Sequence, residues 1–300
     1  DGDNNLEAAA VNDFLEMSSV GSTSQVAVVT QMDRIAGYDA TFDDWDETRR
    51  FYVTPGMTPA AANGTFIGEV NMGDPNTLVE FVQWAMANYP ADHYALILWD
   101  HGSGWRSRAL DDPVTQGIAY DDTSDGDGLD MVELRSALNT LTGGGATPFD
   151  LIGMDACLMA LIEVDDQLRP YADVRVTSQE VEPNDGAPQD SILAALVASP
   201  AMTAEALGIV YVDQYYASYG NNQTQSAVDL GADYAALRTA VDGFAAALLA
   251  NGAANAAGIQ AARAAVQDFD FDYYIDLYDF AGRVQANVAN AAIDNAAAAV

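Results

Sequence analysis

The chain has 300 residues and a mass of 31.7 kDa, which is enough for one large α/β domain or two small ones with a full hydrophobic core. Half of its residues are apolar, and no apolar run approaches the length of a bilayer span, so disordered and membrane-spanning classes of protein are excluded. Forty-five acidic residues oppose eleven basic ones, for a net charge of −34. Such a surface repels nucleic-acid phosphates and anionic lipid, and we expect neither nucleic-acid binding nor membrane insertion.

Predicted strands and helices alternate along the first two thirds of the chain. Apolar spacing and flanking polar residues predict helices at 1–20, 76–89, 130–141 and 158–169. Apolar runs predict strands at 26–32, 49–54, 94–99, 149–154 and 173–178, with loops at 55–75 and 103–128. Strands that alternate with helices favour a mainly parallel, doubly wound sheet, which is an α/β fold.

The character of the sequence changes near residue 200. From about residue 203 helices dominate, with one further strand predicted at 224–230. We therefore expect an α/β core at 1–200 and a helical C-terminal part at 201–300 that packs on the core.

Three of the predicted core strands are followed by polar residues. These are His101, Cys157 and the group Ser178, Gln179 and Glu180. In open parallel sheets, ligands bind outside the carboxyl ends of the strands. We therefore expect these side chains to meet at one edge of the sheet and to form the functional site.

Cys157 is the only cysteine in the sequence, and a lone cysteine is usually a small buried apolar side chain. A nucleophilic cysteine needs a base to form its thiolate, and the two histidines are His93 and His101. His93 precedes the strand that His101 follows, so we expect it on the surface, about 25 Å from His101. Gly102 lets the backbone approach a substrate and direct an N–H at a developing oxyanion. The residues therefore favour a Cys157–His101 pair over an inert thiol.

Four segments narrow this site to one family. They are LILWDHGSGW, AYDDTSDGDGLDMVELRSAL, DLIGMDACLMALIEV and TSQEVEPNDG, and they occur in this order between DGDNNLE at the start and YIDLYDFA near the end. The ordered set resembles the clostripain family of cysteine peptidases, in the caspase-like clan. The resemblance implies a caspase-like three-layer sandwich, in which helices flank a mainly parallel sheet.

The resemblance also implies an activity and the residues that perform it. It implies an endopeptidase that hydrolyses peptide or protein substrates after basic residues, chiefly Arg but also Lys. Cys157 is then the nucleophile, and His101 protonates the leaving amine. The backbone N–H groups of Gly102 and Cys157 would bind the tetrahedral oxyanion. The family works with this dyad, so no third, orienting carboxylate is expected.

The start of the chain departs from the family pattern. In the family, DGDNNLE follows an apolar strand, and this strand is absent here. We therefore expect a fragment whose sheet lacks one central strand. The first residues also lack the basic start and apolar stretch of a signal peptide. Together with the resemblance, this favours a secreted or cell-surface protein.

An arginine-binding pocket needs a carboxylate, ideally in bidentate contact with the guanidinium. Asp185, in the EPNDG stretch, is the first candidate and Asp155 is the second. Asp155 lies two residues before Cys157, so both side chains share a face of an extended segment, although a carboxylate beside a thiol disfavours the thiolate. Both aspartates also suit purely structural roles, in a turn and at a strand end. Ser178 and Gln179 are expected to line the pocket wall through their backbone.

Two arginines, Arg106 and Arg108, follow His101 in the loop predicted at 103–128. Family members often cleave themselves in this loop. The resemblance therefore implies self-processing after Arg106 or Arg108, and an intact loop is the alternative.

Calcium is not required for the expected chemistry, but clostripain-like enzymes can require it. The acidic loop DDTSDGDGLD is not an EF-hand, because counting from Asp121 places Val132 at position 12, where a bidentate Glu belongs. An irregular calcium site formed by Asp121, Asp122, Asp125 and Asp127 is a candidate. The acidic DGDNN start is a second cluster, and it equally suits a helix N-terminus.

Three alternative functions stay open at this point. The first is a catalytically inactive relative that binds basic peptides, and the second is an acidic calcium-binding module. The third is a related peptidase that cleaves after Asp, which would need a basic pocket. No arginine falls near the EPNDG stretch, so the sequence favours cleavage after basic residues.

Overall fold

The computed structural model describes residues 1–105 and 117–300. These residues form two compact units, Asp1–Val228 and Asp229–Val300. Because Tyr211 and Tyr215 of a helix beyond residue 200 pack into the apolar core with Val174 and Val176, the first unit extends past the boundary expected near residue 200. None of the described helices combines the length and apolar character needed to cross a bilayer.

The elements follow one another along both units. The described helices are α1 Glu7–Val20, α2 Pro75–Asn88, α3 Met131–Leu141, α4 Ile162–Leu168, α5 Gln189–Ala198, α6 Ala204–Tyr219, α7 Ala232–Ala265, α8 Leu277–Asn287 and α9 Ala291–Ala297. The described strands are β1 Val29–Met32, β2 Thr48–Tyr52, β3 Thr65–Gly68, β4 Ala95–Trp99, β5 Ile118–Asp121, β6 Asp127–Leu129, β7 Phe149–Asp155, β8 Ala172–Thr177, β9 Ser226–Asp229, β10 Asp268–Phe269 and β11 Phe271–Ile275.

The central sheet has the order β4-β7-β8-β9. Strands β4 and β8 both pair with β7 in parallel, with Trp99 opposite Asp155 and Val176 opposite Gly153. The apolar runs of β7 and β8 are buried almost throughout, as expected for parallel strands covered on both faces. The parallel α/β core predicted from the sequence is therefore present.

A second, antiparallel sheet has the order β1-β2-β3. It packs through Phe51 and Val28 against Phe14 of α1, and the rings of Phe14 and Phe51 meet edge to face at 4.9 Å. A buried ion pair between Arg34 and Glu7, at 2.7 Å, ties the end of β1 to the start of α1. Paired in this way, the two charges tolerate complete burial.

A cleft of about 830 Å³ separates the two sheets and is lined by apolar side chains of β1 and β4, among them Met32, Leu96 and Leu98. At its mouth, the Asp1 ammonium donates to the Trp99 carbonyl at 2.7 Å, and the Gly2 N–H donates to the Asp33 carbonyl at 3.1 Å. The chain start thus hydrogen-bonds to the ends of β4 and β1.

Two helices begin later than the sequence predicts. Helix α1 begins at Glu7 because the six preceding residues form a loop, in which the Asn4 side chain accepts from the Leu6 N–H. Helix α4 begins at Ile162 because the segment after Cys157 bonds across to the end of β8, where the Ala160 N–H donates to the Ser178 carbonyl at 2.8 Å. Tertiary hydrogen bonds override the local helical pattern in both segments.

Five short strands were not predicted. Strand β3 lies in the predicted loop at 55–75, and the β5–β6 hairpin lies in the loop predicted at 103–128. The hairpin β10–β11 lies in the C-terminal unit, where a core that includes Phe244, Val284 and Ile293 joins α7, α8 and α9. The missed strands of the first unit are at most four residues long, so they carry too few apolar positions to give a period-2 pattern.

Candidate active site

His101 and Cys157 lie at the same edge of the central sheet. In the parallel pairing of β4 with β7, Trp99 is opposite Asp155, and the Asp100 N–H donates to the Asp155 carbonyl at 3.2 Å. His101 and Cys157 each follow these paired positions by two residues. The expected meeting of the two strand ends is thus present.

Gly102 passes very close to the backbone of Cys157. A side-chain carbon at position 102 would lie 2.3 Å from the Cys157 carbonyl oxygen and 3.1 Å from its nitrogen. Only glycine fits such an approach. Because residue 102 has no side chain, the two backbone segments can lie side by side. They carry the N–H groups of Gly102 and Cys157, which are the two expected oxyanion donors.

Cys157 is half-buried, and its Sγ accepts a hydrogen bond from the Glu182 N–H at 3.2 Å. The next residue, Leu158, has φ +64°, which is uncommon for a residue other than glycine. Its N–H donates to the Glu180 carbonyl at 3.3 Å. The turn that presents the sulfur is therefore held by the segment after β8.

His101 is held by two side chains. Its Nε2 lies 2.9 Å from Asn5 Oδ1, and its backbone N–H donates to Asp100 Oδ1 at 2.6 Å. Burial lowers the pKa of the imidazole, and the charge of Asp122 acts in the opposite direction. In contrast, His93 lies on the surface at the other end of β4, as predicted, and its Nδ1 is 2.6 Å from Asp150 Oδ1.

Asp155 is buried beneath the site. Its carboxylate oxygens accept from the Ala187 N–H at 3.1 Å and from Gln189 Nε2 at 3.0 Å. A hydrogen bond also joins its carboxyl group to that of Glu182, and such a bond requires one of the two groups to carry a proton. Burial raises the pKa of both carboxyls, and in Glu182 the charges of Asp155 and Cys157 raise it further.

The other three candidate pocket residues differ in their surroundings. Asp185 is exposed in the turn closed by the Gly186 N–H and the Pro183 carbonyl. The Ser178 hydroxyl is 2.7 Å from the Thr224 hydroxyl, so it takes part in a local hydrogen bond. Gln179 is half-buried, and its side-chain oxygen is buried without a hydrogen-bond partner.

Two acidic residues of this site were missed in the sequence. Glu182 adjoins both Cys157 and Asp155, and Asp13 of α1 is only 4% exposed. Burial, followed by the charges of Asp155 and Glu16, raises the pKa of Asp13 to about 9. The sequence did contain a signal that could have identified Asp13, because this acidic residue falls within the apolar face of the helix predicted at 1–20.

Carboxyl groups of Asp13 and Asp155 face the same glycine. A side-chain carbon at Gly186 would lie 3.1 Å from both carboxylate oxygens of Asp155 and 3.3 Å from Asp13 Oδ2. Together, Asp13, Asp155 and Glu182 form a group that we call the acidic pocket. Its electrostatics favour a cation, because repulsion between the carboxyl groups is relieved when a positive charge enters.

The candidate calcium ligands are not brought together as expected. Asp121 is buried, but Asp127 accepts from Asn71 Nδ2 at 2.7 Å, Asp125 lies in a turn with φ +62°, and Asp122 is exposed near His101. A spacing of one or two residues along a turn points these side chains in different directions.

Asp121 instead joins Asp3, Asp33 and Glu69. One carboxylate oxygen from each residue lies within 4.8 Å of the others, and among the described residues this is the group that could hold a metal ion. Asp3, Asp33 and Asp121 are fully buried, and Asp3 Oδ1 accepts no hydrogen bond. Burial raises the pKa of Asp33 to about 8. An all-oxygen set with an orphaned buried oxygen fits Ca²⁺ or Mg²⁺.

Arg106 and Arg108, the predicted self-cleavage sites, lie outside the described residues. Both follow Trp105, and the described chain resumes at Gly117, whose N–H donates to the Ser103 hydroxyl at 3.0 Å. Self-cleavage in this loop stays a prediction.

Comparison with known proteins relates this architecture to one family. The sequence profile of the clostripain family matches residues 1–299. Clostripain from Hathewaya histolytica is 30% identical over 215 residues, which are 64% of this chain and 40% of that protein. The chain thus spans well under half the length of this curated relative.

Solved structures of two relatives share the fold. One is a secreted C11 cysteine protease from Bacteroides thetaiotaomicron in complex with an irreversible peptide inhibitor, with 21% identity, a TM-score of 0.65, and coverage of 99% of this chain and 79% of that one. The other is an inactive zymogen C11 protease from Parabacteroides distasonis, with 19% identity, a TM-score of 0.62, and coverage of 98% and 78%. The caspase-like fold expected from the sequence is confirmed.

The raised pKa of Asp13 predicts how stability depends on pH. Folded Asp13 keeps its proton up to a pKa of about 9, whereas an unfolded Asp releases it near a pKa of about 3.9. Folding stability therefore falls as the pH rises between these two values. Asp13→Asn in a Cys157→Ala background should unfold at a higher temperature than the background at pH 8, and the advantage should shrink towards pH 4.

Thermal unfolding across this pH range measures the effect. The matched control is Asp213→Asn, which changes an exposed aspartate of α6 and should give a difference that does not depend on pH. An Asp13→Asn difference that stays constant from pH 4 to pH 8 would contradict the assignment.

Proposed function

Because this chain belongs to the clostripain family, we propose that it is a cysteine endopeptidase that cleaves peptide bonds after basic residues, chiefly Arg. The observation that carries the proposal is the acidic pocket, which adjoins the sulfur of Cys157 through Glu182. None of its three carboxyls forms an ion pair with an arginine of the described chain. A cationic side chain of a substrate is the partner that these carboxyls lack.

In the proposed reaction, the Cys157 thiolate attacks the carbonyl carbon of the residue after which the chain is cut. The backbone N–H groups of Gly102 and Cys157 stabilise the resulting oxyanion. The His101 imidazolium gives a proton to the leaving nitrogen as the C–N bond breaks, and a thioester remains. Neutral His101 then takes a proton from the water that hydrolyses the thioester, which restores the thiolate and the imidazolium.

Binding of the basic side chain is coupled to the chemistry. Negative charges on Glu182 and on the Cys157 sulfur repel each other. A guanidinium beside Asp155 and Glu182 favours ionisation of the carboxyls, and its positive charge offsets their repulsion of the thiolate. A cationic substrate therefore helps to form the nucleophile that attacks it, whereas a neutral or acidic side chain does not.

Specificity follows from the arrangement of the pocket. Asp155 supplies two carboxylate oxygens in a fixed orientation, as bidentate recognition of a guanidinium requires. Asp185 adds negative charge at the exposed turn, and the orphaned side-chain oxygen of Gln179 can accept from a guanidinium N–H. Ser178 shapes the wall. Lysine, a point charge without the planar fork, should be the weaker substrate.

A peptide panel tests this function directly. The wild-type chain should hydrolyse fluorogenic peptides with Arg before the cleaved bond faster than those with Lys, and should leave Asp peptides intact. Cys157→Ala should abolish cleavage. Asp155→Asn should lower kcat/KM for Arg peptides by about 10²-fold or more, because it removes a buried charge-assisted contact.

The control for this panel is Asp92→Asn, an exposed aspartate before β4, which should retain wild-type kinetics. Cleavage after Asp would retain the nucleophile and reject the acidic pocket. No cleavage by a folded wild-type chain would indicate an inactive relative that binds basic peptides.

We further propose that the enzyme cuts its own chain after Arg106 or Arg108. In purified wild-type protein, mass spectrometry should find fragments ending at one of these arginines, and Cys157→Ala should remain intact. The double variant Arg106→Ala/Arg108→Ala should also remain intact while it still cleaves peptides. Fragments in the Cys157→Ala protein would show that another protease makes the cut.

Asp3, Asp33, Glu69 and Asp121 are proposed to hold a divalent cation, with calcium preferred for its tolerance of irregular oxygen ligands. When bound, the cation would neutralise the buried charges and link the DGDNN loop to β5. Two features support it: the orphaned Asp3 Oδ1, and one Thr123 hydroxyl that contacts Asp3, Glu69 and Asp121 but has a single proton to give.

Thermal unfolding in calcium and in chelator tests this site without an activity readout. At about 100 times its Kd, calcium should stabilise the Cys157→Ala protein by about 2.7 kcal/mol. Asp33→Asn should abolish the increase in Tm. Asp125→Asn, outside the cluster, should keep it. An unchanged Tm, or equal increases in all variants, would contradict the site.

The protein is also proposed to act outside the cell. The B. thetaiotaomicron relative is described as secreted. Its substrates would then be extracellular peptides or proteins with accessible Arg or Lys residues.

A further inference from the structure

Asn5 is placed against the ring of His101. Its side-chain Oδ1 lies 2.9 Å from His101 Nε2, although the two residues are 96 positions apart in sequence. We propose that Asn5 is a positioning residue that fixes the His101 ring and holds the proton of Nε2, so that Nδ1 is the nitrogen that exchanges protons in the reaction. This inference rests on the proposed peptidase function.

The assignment of the two nitrogens follows from the chemistry of the amide. An amide oxygen accepts hydrogen bonds and does not donate them, so the facing Nε2 must carry a hydrogen. In neutral His101, Nδ1 then has the free electron pair. The hydrogen bond made by one ring nitrogen thus decides which nitrogen is available for catalysis.

The loop that carries Asn5 is itself fixed to the residue before His101. Asn4 Nδ2 donates to Asp100 Oδ1 at 2.8 Å and to the Tyr120 carbonyl at 2.9 Å. The same Asp100 oxygen accepts from the His101 backbone N–H at 2.6 Å. Asn4 and Asn5 therefore hold the backbone and the ring of His101 through two successive contacts, which leaves the ring little freedom to rotate.

Helix capping does not account for Asn5. Helix α1 has Leu6 at its N-cap, without a side-chain cap hydrogen bond, and it is Asn4 that accepts from the Leu6 N–H. Asn5 is exposed, so it adds little to the apolar core. Its contact with His101 is the interaction that distinguishes it from the other residues of the loop.

The arrangement gives a consistent proton path. The imidazolium carries hydrogens on both nitrogens, and Asn5 retains the one on Nε2. The proton on Nδ1 passes to the leaving nitrogen as the peptide C–N bond breaks, and Nδ1 then accepts a proton from the water that attacks the thioester. One nitrogen serves both half-reactions, and the ring does not have to turn over between them.

Several ionisable groups lie around His101. Burial lowers the pKa of the imidazole and Asp122 raises it, Asp100 accepts from the His101 backbone N–H, and Cys157 follows the end of the neighbouring strand β7 by two residues. The inference depends on the Asn5 contact and on the orientation of the ring rather than on any of these charges.

Steady-state kinetics with Arg peptides test the positioning role. Asn5→Ala should lower kcat by about 10- to 10²-fold, the range of a misplaced general acid, while KM changes little. Asn5→Asp keeps an oxygen acceptor and should remain within about threefold of wild-type kcat. Asn88→Ala, an exposed asparagine at the end of α2, should retain wild-type kcat. Unchanged kcat in Asn5→Ala would overturn the inference, as would equal losses in Asn5→Ala and Asn5→Asp.

Nitrogen NMR tests the geometry without peptidase activity. In a ¹⁵N-histidine-labelled His93→Gln/Cys157→Ala protein, the remaining histidine signals belong to His101. The neutral ring should carry its hydrogen on Nε2, with a through-hydrogen-bond or distance restraint to Asn5, and Asn5→Ala should remove that restraint. A hydrogen on Nδ1 would overturn the inference. If the wild-type protein cleaves no peptide but the NMR result holds, the peptidase proposal fails and the Asn5 contact stands.

Discussion

Parallel pairing of β4 with β7, with Trp99 opposite Asp155, is the constraint on which the site depends. This register brings His101 and Cys157 to one edge of the sheet at equal distances past the paired residues. It also forces the two backbones so close together that position 102 has no room for a side chain. A shift of one residue would turn the side chains to opposite faces, so the sheet determines the chemistry before any loop does.

Buried negative charge is the second feature of the molecule. Two groups of carboxyls have pKa values that burial raises. One is the acidic pocket beside Cys157, and the other is the cluster of Asp3, Asp33, Glu69 and Asp121. Buried carboxyls without a cation cost stability, and a protein retains them where a cation binds. We interpret one group as a pocket for a basic side chain and the other as a site for a divalent ion. The two groups share no residue and act independently in the proposed mechanism.

Much of the core, and the placement of His101 and Cys157 at one edge of the sheet, could be predicted from the sequence, because apolar runs indicate the strands of a parallel sheet and the ends of such strands share an edge. His101, Cys157 and Gly102 needed no tertiary detail. Asp13 could not be assigned, because a single acid on a helix does not reveal which residue it faces. The candidate metal-binding group was not predicted for the same reason: Asp33 and Glu69 come from separate segments, and only the fold brings them to Asp121. Helix α4 begins later than the sequence predicts because the segment after Cys157 hydrogen-bonds to the end of β8 instead.

The most direct test of the account is covalent labelling of the wild-type chain with two peptides that carry the same thiol-reactive group, one with Arg and one with Asp at the position that enters the pocket. Mass spectrometry would locate the adduct. The account predicts a single adduct on Cys157, formed by the Arg peptide and prevented in His101→Ala at equal exposure time. Equal labelling by both peptides would contradict the acidic pocket, and no labelling of a folded chain would contradict the peptidase.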